Sequence, residues 1–92
     1  MDLDRIRRRI REIADSPKNV DFAELLSLLD NHIGPMYLNY NHHGNPHHAI
    51  TLGANTFNIA QPKSGFVKKV YVDKFLDAME ALGLYDPEEN NE

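Results

Sequence analysis

The spacing of apolar residues along this chain changes from a helical period to a two-residue period and back again. Near the amino terminus apolar residues recur every three or four positions, as on one stripe of a helix. This first helix is expected to end at Asp15-Ser16-Pro17, because proline cannot continue a helix. A second helix is predicted behind the N-cap residue Asp21 and should end at Gly34-Pro35. The apolar stripes of the two helices are Leu3, Ile6, Ile10 and Ile13, then Phe22, Leu25, Leu26, Leu29 and Ile33.

Between residues 36 and 59 apolar and polar residues alternate, which predicts an antiparallel meander of three strands. Gly53-Ala54 has the length and the leading glycine of a two-residue hairpin turn between the second and third strands. From about Val70 the helical period returns, and Gly83 closes this last helix. The alternating apolar residues of the three strands are Met36, Leu38 and Tyr40, then Ile50 and Leu52, then Phe57 and Ile59.

The predicted order of helix, helix, strand, strand, strand, helix defines an α+β fold. Two helices packed on one face of a three-stranded antiparallel sheet form a two-layer sandwich. We therefore expect a basic helix over 1–15 as an addition to a sandwich over 16–85, followed by a disordered acidic tail over 86–92. The other face of the sheet should lie in water. Its expected residues are Tyr37, Asn39, Thr51 and Asn58.

Composition narrows the class of protein further. The chain has 92 residues, enough for one small domain, and no cysteine. Disulfides and thiolate metal sites are thereby excluded, which fits a cytoplasmic location. No apolar run approaches the roughly 20 residues that span a bilayer, so no membrane partner is expected.

The distribution of charge is more informative than the formal net charge of −4, all of which arises in 86–92. Residues 31–72 contain no acid, and they hold three lysines and all five histidines. This middle third predicts a basic surface on an otherwise neutral domain. Five arginines lie on the first helix. We favour a solvated face with acidic partners for them, with an RNA-contacting arm as the alternative.

Four of the five histidines fall within Asn41 to His48, and three interpretations of this cluster are open. A metal site would use imidazole ligands, but it usually needs cysteine or carboxylate ligands from a second element, and no acid lies in 31–72. The cluster could instead be an exposed polar loop between two strands. The third interpretation is RNA cleavage without metal or cofactor, in which the RNA's 2′-hydroxyl is the nucleophile. A histidine removes the hydroxyl proton and lysines stabilise the phosphate.

Three segments resemble the HicA family, small toxins of bacterial and archaeal toxin-antitoxin pairs. Ser16 to Leu26 is similar to the family's first core helix. Gly44 to Ile50 lies where the family carries a glycine, small hydroxyl residues and a catalytic histidine that leads into the second strand. Gln61 to Leu76, with its Val-Lys-Lys-Val-Tyr-Val run, is similar to the family's strand exit and last helix.

The resemblance implies a double-stranded-RNA-binding-domain-like fold and a metal-independent mRNA interferase that needs no cofactor and is neutralised by a HicB antitoxin. It implies that His47 is the catalytic base toward the 2′-hydroxyl. We expect Lys63, Lys68 and Lys69 to bind the RNA phosphates. His48 should face the other side of the strand as a structural histidine. An inactive domain that binds RNA or protein through the same surface is the alternative function. For the first helix we expect either an oligomer contact or an antitoxin contact through Leu3, Ile6 and Ile10.

Overall fold

Three α-helices and one three-stranded antiparallel sheet make up the described part of the protein, residues 1–88 of a computed structural model. The fold class is α+β, as the sequence predicts. The predicted acidic tail continues through residues 89–92, which lie outside the described residues. The elements in chain order are α1 Leu3–Asp15, α2 Phe22–Leu28, β1 Asn41–His43, β2 His47–Leu52, β3 Asn55–Ala60 and α3 Lys69–Ala81.

Helix α1 begins where the Asp2 carboxylate accepts a hydrogen bond from the Arg5 amide at 2.9 Å, and it ends at Asp15 as predicted. Its apolar stripe enters the same core as the other elements: Ile6 is 1% exposed and Ile10 is fully buried. These two side chains are therefore not available for the intermolecular contact expected from the sequence. Of the three residues named for that contact, Leu3 alone is exposed.

The arginine-rich face of α1 is joined to acidic side chains by Arg9. Its guanidinium donates to Glu12 at 3.0 Å and to Glu24 of α2 at 2.9 Å. Both pairs are largely solvent-exposed, so each contributes well under about 1 kcal/mol to stability. This geometry agrees with a solvated face that has acidic partners.

Helix α2 is capped by Asp21, whose carboxylate accepts a hydrogen bond from the Glu24 amide at 2.9 Å. Beyond α2 the chain continues through a π-helical turn, Leu29–Ile33, and a 3-10 turn, Gly34–Met36. The first strand is therefore present, but its predicted position from Met36 to Asn41 is wrong, since β1 comprises Asn41–His43. The 3-10 turn and the packing of the Tyr40 ring against Gly34 hold this segment outside the sheet.

The register of the sheet separates its side chains into two faces. β2 is the central strand, and it pairs with β1 on one side and with β3 on the other. Its pairing with β3 runs to Leu52 opposite Asn55, which confirms the two-residue turn at Gly53-Ala54. Because neighbouring side chains alternate, His48, Ile50 and Leu52 share one face, and His47, Ala49 and Thr51 share the other.

Residues of α2 and α3 contact the face of the sheet that carries Ile50. Phe57 of β3 meets Phe75 of α3 with their ring centroids 6.1 Å apart, and His48 meets Phe22 of α2 at 5.3 Å. Helix α3 ends before Gly83, whose φ of +77° closes the helix as expected. In residues 1–88 no helix has both the length and the apolar character needed to cross a membrane.

Gly44 is the tightest point of the β1 to β2 turn and yields a stability prediction. Its φ is +100°, and a Cβ there would lie 2.3 Å from the His47 carbonyl oxygen. Gly44→Ala should therefore lower the free energy of unfolding by about 2 kcal/mol or more. Urea unfolding followed by circular dichroism measures this change.

Gly53→Ala is the matched control, because Gly53 also has a positive φ, of +63°, but a Cβ there would meet nothing within 4 Å. It should cost about 1 to 2 kcal/mol, the conformational penalty alone. Equal losses at the two positions would show that the contact with His47 does not matter.

Candidate active site

His47 begins β2 on the sheet face opposite to the one that carries Ile50. Its residue partner across the sheet is Ala60, and its side chain is exposed. Just before it, the Pro46 carbonyl accepts a hydrogen bond from the Gln61 amide at 2.8 Å, which ties the start of β2 to the end of β3. The backbone around His47 is thus held against β3, while its imidazole stays open to solvent.

A pocket of about 420 Å³ lies at this end of the sheet, where β2 begins, β3 ends and α3 begins. This volume is within the range of roughly 300 to 1,000 Å³ that small-ligand sites occupy. Among residues 1–88 no acidic side chain lines it. It brings together three of the four residues named from the sequence, and its lining consists of His47, Ala60, Gln61, Pro62, Lys63, Ser64, Phe66, Lys68 and Tyr71.

Lys69 is the sequence-predicted site residue that does not line this pocket. Its ammonium group donates to both carboxylate oxygens of Asp73, at 3.0 and 3.3 Å, one helical turn along α3. The spacing of four residues between a lysine and an aspartate is readable from the sequence and favours such a pair. Lys68 precedes the first residue of α3 and contributes to the pocket wall instead.

Tyr71 and Phe66 are pocket residues that the sequence reasoning did not name. Tyr71 lies three residues after Lys68, a spacing that puts two side chains on the same side of a helix. Phe66 is harder to predict as a pocket residue, because an isolated apolar residue in a polar loop is equally compatible with a place in the core. Another groove, of about 320 Å³ between β3 and α3, is lined by Lys74 and Asp77 but by no histidine.

A second histidine arrangement, Asp30-His42-His48, lies on the helix-facing side of the sheet. His42 Nδ1 is 2.8 Å from Asp30 Oδ1, and His42 Nε2 is 2.9 Å from His48 Nδ1. The Tyr40 hydroxyl also donates to Asp30 Oδ1. The arrangement joins the π-helical turn after α2 to the two strands β1 and β2.

These contacts fit one arrangement of protons when both rings are neutral. An ionised Asp30 only accepts, so a neutral His42 donates from Nδ1, and its Nε2 accepts the proton on His48 Nδ1. In this arrangement His48 Nε2 carries no proton. That atom is buried, and in residues 1–88 it has no hydrogen-bond partner. His48 is therefore a structural histidine on the face that the sequence predicts for it.

Burial is the main cause that lowers the pKa of His48, and the neighbouring His42 lowers this pKa further. The Gln61 side chain and Asp30 act in the opposite direction, although no group reaches Nε2 in hydrogen-bonding geometry. Burial and the Asp30 carboxylate raise the pKa of Tyr40, which therefore remains a hydrogen-bond donor. The neutral form of His48 is the one that fits the folded state.

Sequence reasoning missed Asp30 because the acid-free run begins directly after it. The signal that could have found it is a carboxylate at the end of a helix that leads toward a histidine-rich strand. In residues 1–88 no group of three or more histidine, aspartate or glutamate side chains is arranged to hold a metal ion. Instead, His42 is hydrogen-bonded to Asp30 through one ring nitrogen and to His48 through the other.

No protein-family model matches this chain, nor does any curated protein or solved structure.

The lowered pKa of His48 predicts a pH dependence of stability. Between the lowered pKa and the ordinary histidine value of about 6.5, the unfolded chain binds more protons than the folded chain. The free energy of unfolding should therefore fall as pH drops below about 6.5. His48→Asn should make the fall between pH 7 and pH 5.5 smaller, as measured by urea unfolding at each pH.

His43→Asn serves as the control, because His43 is exposed on the other face of the sheet. This variant should keep the wild-type pH dependence. A His48→Asn protein whose unfolding free energy falls as steeply as that of the wild type would contradict the assignment.

Proposed function

We propose that this protein is a metal-independent endoribonuclease, a HicA-like toxin that cleaves mRNA and so inhibits translation. The observation that carries the proposal is the pocket in which His47 lies with Lys63 and Lys68 and to which the described part of the chain contributes no acidic side chain. An acid-free, lysine-lined pocket favours a phosphate ligand, and a histidine beside a phosphate can act on a neighbouring hydroxyl.

In the proposed reaction His47 takes the proton from a 2′-hydroxyl of the bound RNA. The 2′-oxygen attacks the adjacent phosphorus, and the bond from phosphorus to the 5′-oxygen of the next nucleotide breaks. That oxygen takes a proton from solvent, to which the pocket is open. The products are a strand ending in a 2′,3′-cyclic phosphate and a strand beginning with a 5′-hydroxyl. No oxidant, metal or cofactor takes part in this sequence of bonds.

Stabilisation of the phosphate is assigned to Lys63 and Lys68. Negative charge builds up on the phosphate oxygens in the transition state, and fixed positive charge nearby lowers its energy. The amino terminus of α3 adds to this potential, because Lys68 caps the 13-residue helix without a side-chain hydrogen bond to its first amides. Lys69 is engaged by Asp73, so its expected contribution is smaller.

One observation favours the alternative, an inactive HicA-like domain that binds RNA or protein through the same pocket. The His47 side chain makes no hydrogen bond with any residue in 1–88, whereas bases of this kind are commonly oriented by a third group. In this alternative RNA binds without being cut. Its affinity falls as salt rises, because phosphate contacts release counterions.

A HicB-like antitoxin is the protein partner implied by the same resemblance. We propose that it neutralises the toxin by covering the pocket of His47. The exposure of His47, Lys63 and Lys68 on one end of the sheet supports this, since a single partner surface could reach all three.

The cleavage proposal predicts that substitutions of neighbouring histidines, and of neighbouring lysines, change RNA cleavage and RNA binding by different amounts. His47→Ala should lower the cleavage rate about 100-fold or more, the usual contribution of a general base. Lys68→Ala should weaken RNA binding and lower the slope of log affinity against log salt concentration by about one. Lys69→Ala should change both by much less. Single-turnover cleavage and anisotropy titrations on a labelled RNA measure these effects.

His43→Ala is the control for loss of an exposed histidine, because His43 lies on the same sheet face but not in the pocket. Its cleavage rate should match the wild type. Cleavage that survives His47→Ala unchanged would exclude the proposed base, and RNA that stays intact with the wild type would favour the binding module.

A further inference from the structure

Phe66 is an aromatic side chain that the loop between β3 and α3 holds out in water. Its side chain is 52% exposed, whereas the next residue, Val67, is 2% exposed. The Phe22 amide donates to the Gly65 carbonyl at 2.7 Å, and the Val67 amide donates to the Val20 carbonyl at 2.9 Å. The backbone on both sides of Phe66 is thus bonded to residues at the start of α2 and just before it, and the ring projects from a fixed position.

The apolar Phe66 ring lies beside positively charged side chains. It lines the same pocket as Lys63 and Lys68, and Tyr71 supplies a second aromatic ring there. Tyr71 is partly buried against the core, so its position is also fixed. Two aromatic rings and two lysines in one acid-free pocket therefore stand beside His47.

Rings beside cationic side chains are the combination by which proteins hold single-stranded nucleic acid. The cations follow the phosphates, and each ring accepts the flat face of an unpaired base. A base inside a duplex is already stacked on both sides and cannot lie on a protein ring without leaving its helix. The pocket volume of about 420 Å³ suits one nucleotide rather than a helix.

We propose that Phe66 and Tyr71 form a base-binding subsite that stacks one unpaired base of a single-stranded RNA, next to the phosphate held by Lys68. This inference rests on the proposed function in that it uses the same pocket. The inference goes beyond the proposed function by naming the residues that select an unpaired base. Phe66 is a positioning residue here: it holds the base, and His47 acts on the sugar.

Binding of a strand that cannot be cleaved tests the subsite separately from catalysis. The probe is a fluorescein-labelled 2′-deoxyuridine hexamer, titrated with the full chain and followed by anisotropy. Phe66→Leu keeps an apolar side chain but removes the ring face. It should weaken binding about 5-fold or more, as expected for loss of a stacked base. Phe66→Tyr keeps the ring and should bind within about 2-fold of the wild type.

Two controls separate stacking from charge and from general surface changes. Val70→Ala alters another exposed apolar residue, 53% exposed and outside the pocket, and should leave affinity unchanged. A hexamer of abasic sugar phosphates should bind Phe66→Leu and the wild type equally, because it offers no base to the ring. Thermal unfolding of each variant shows whether it is folded at the assay temperature.

The proposal is overturned if Phe66→Leu binds the uridine hexamer as tightly as the wild type does. It is also overturned if that variant loses the same affinity for the abasic strand, or if the wild type binds neither strand. Failure of the cleavage proposal looks different: base-dependent binding persists while a matching RNA strand remains uncut. Conversely, if Phe66→Leu cleaves RNA and binds the hexamer as the wild type does, the subsite is rejected. The proposed role of His47 as the general base is then unaffected.

Discussion

The pairing of β2 with its neighbours is the constraint on which the rest of the structure depends. β1 pairs with Ala49 to Thr51, and β3 pairs with the whole of β2, so β3 fixes the register at His47 and His48. Successive side chains of a paired strand point to opposite faces of the sheet. His47 and His48 are neighbours in sequence, yet one lies in an open pocket and the other lies between the sheet and α2. A slip of one residue in register would exchange their surroundings.

Each histidine has surroundings suited to a different task. His48 is hydrogen-bonded to His42, which is in turn bonded to Asp30. This chain of bonds links the π-helical turn after α2 to the sheet. Burial lowers the pKa of His48 and so favours its neutral form in the folded protein, and its buried Nε2 has no hydrogen-bond partner in residues 1–88. His47 lies where solvent and a ligand can reach it, next to lysines and aromatic rings. The histidine cluster thus divides into the bonded pair His42 and His48, the exposed His43 outside the pocket, and the exposed His47 in the candidate site.

Local patterns in the sequence were sufficient for the features that depend on nearby residues. Alternation assigned His47 and His48 to opposite faces, and glycine chemistry placed the Gly53-Ala54 turn. The predicted position of the first strand was wrong because alternation at 36–40 cannot reveal that a 3-10 turn and the Tyr40 contact with Gly34 fix this segment. The bond between Asp30 and His42 joins residues 12 positions apart across an irregular turn, so no periodicity reports it. Phe66 was missed for a similar reason, since its exposure depends on backbone bonds to residues near α2.

The chemistry proposed for His47 requires a 2′-hydroxyl at the cut linkage, and that requirement gives the most direct measurement. A short RNA is to be incubated with the wild type in the presence of EDTA, and the linkage that is cut is to be located by mass spectrometry. The same RNA is then made with one 2′-deoxy sugar on the 5′ side of that linkage. The account predicts that cleavage there stops, and that the all-ribose strand yields a 2′,3′-cyclic phosphate end. Cleavage at the deoxy linkage, or activity that EDTA abolishes, would contradict it.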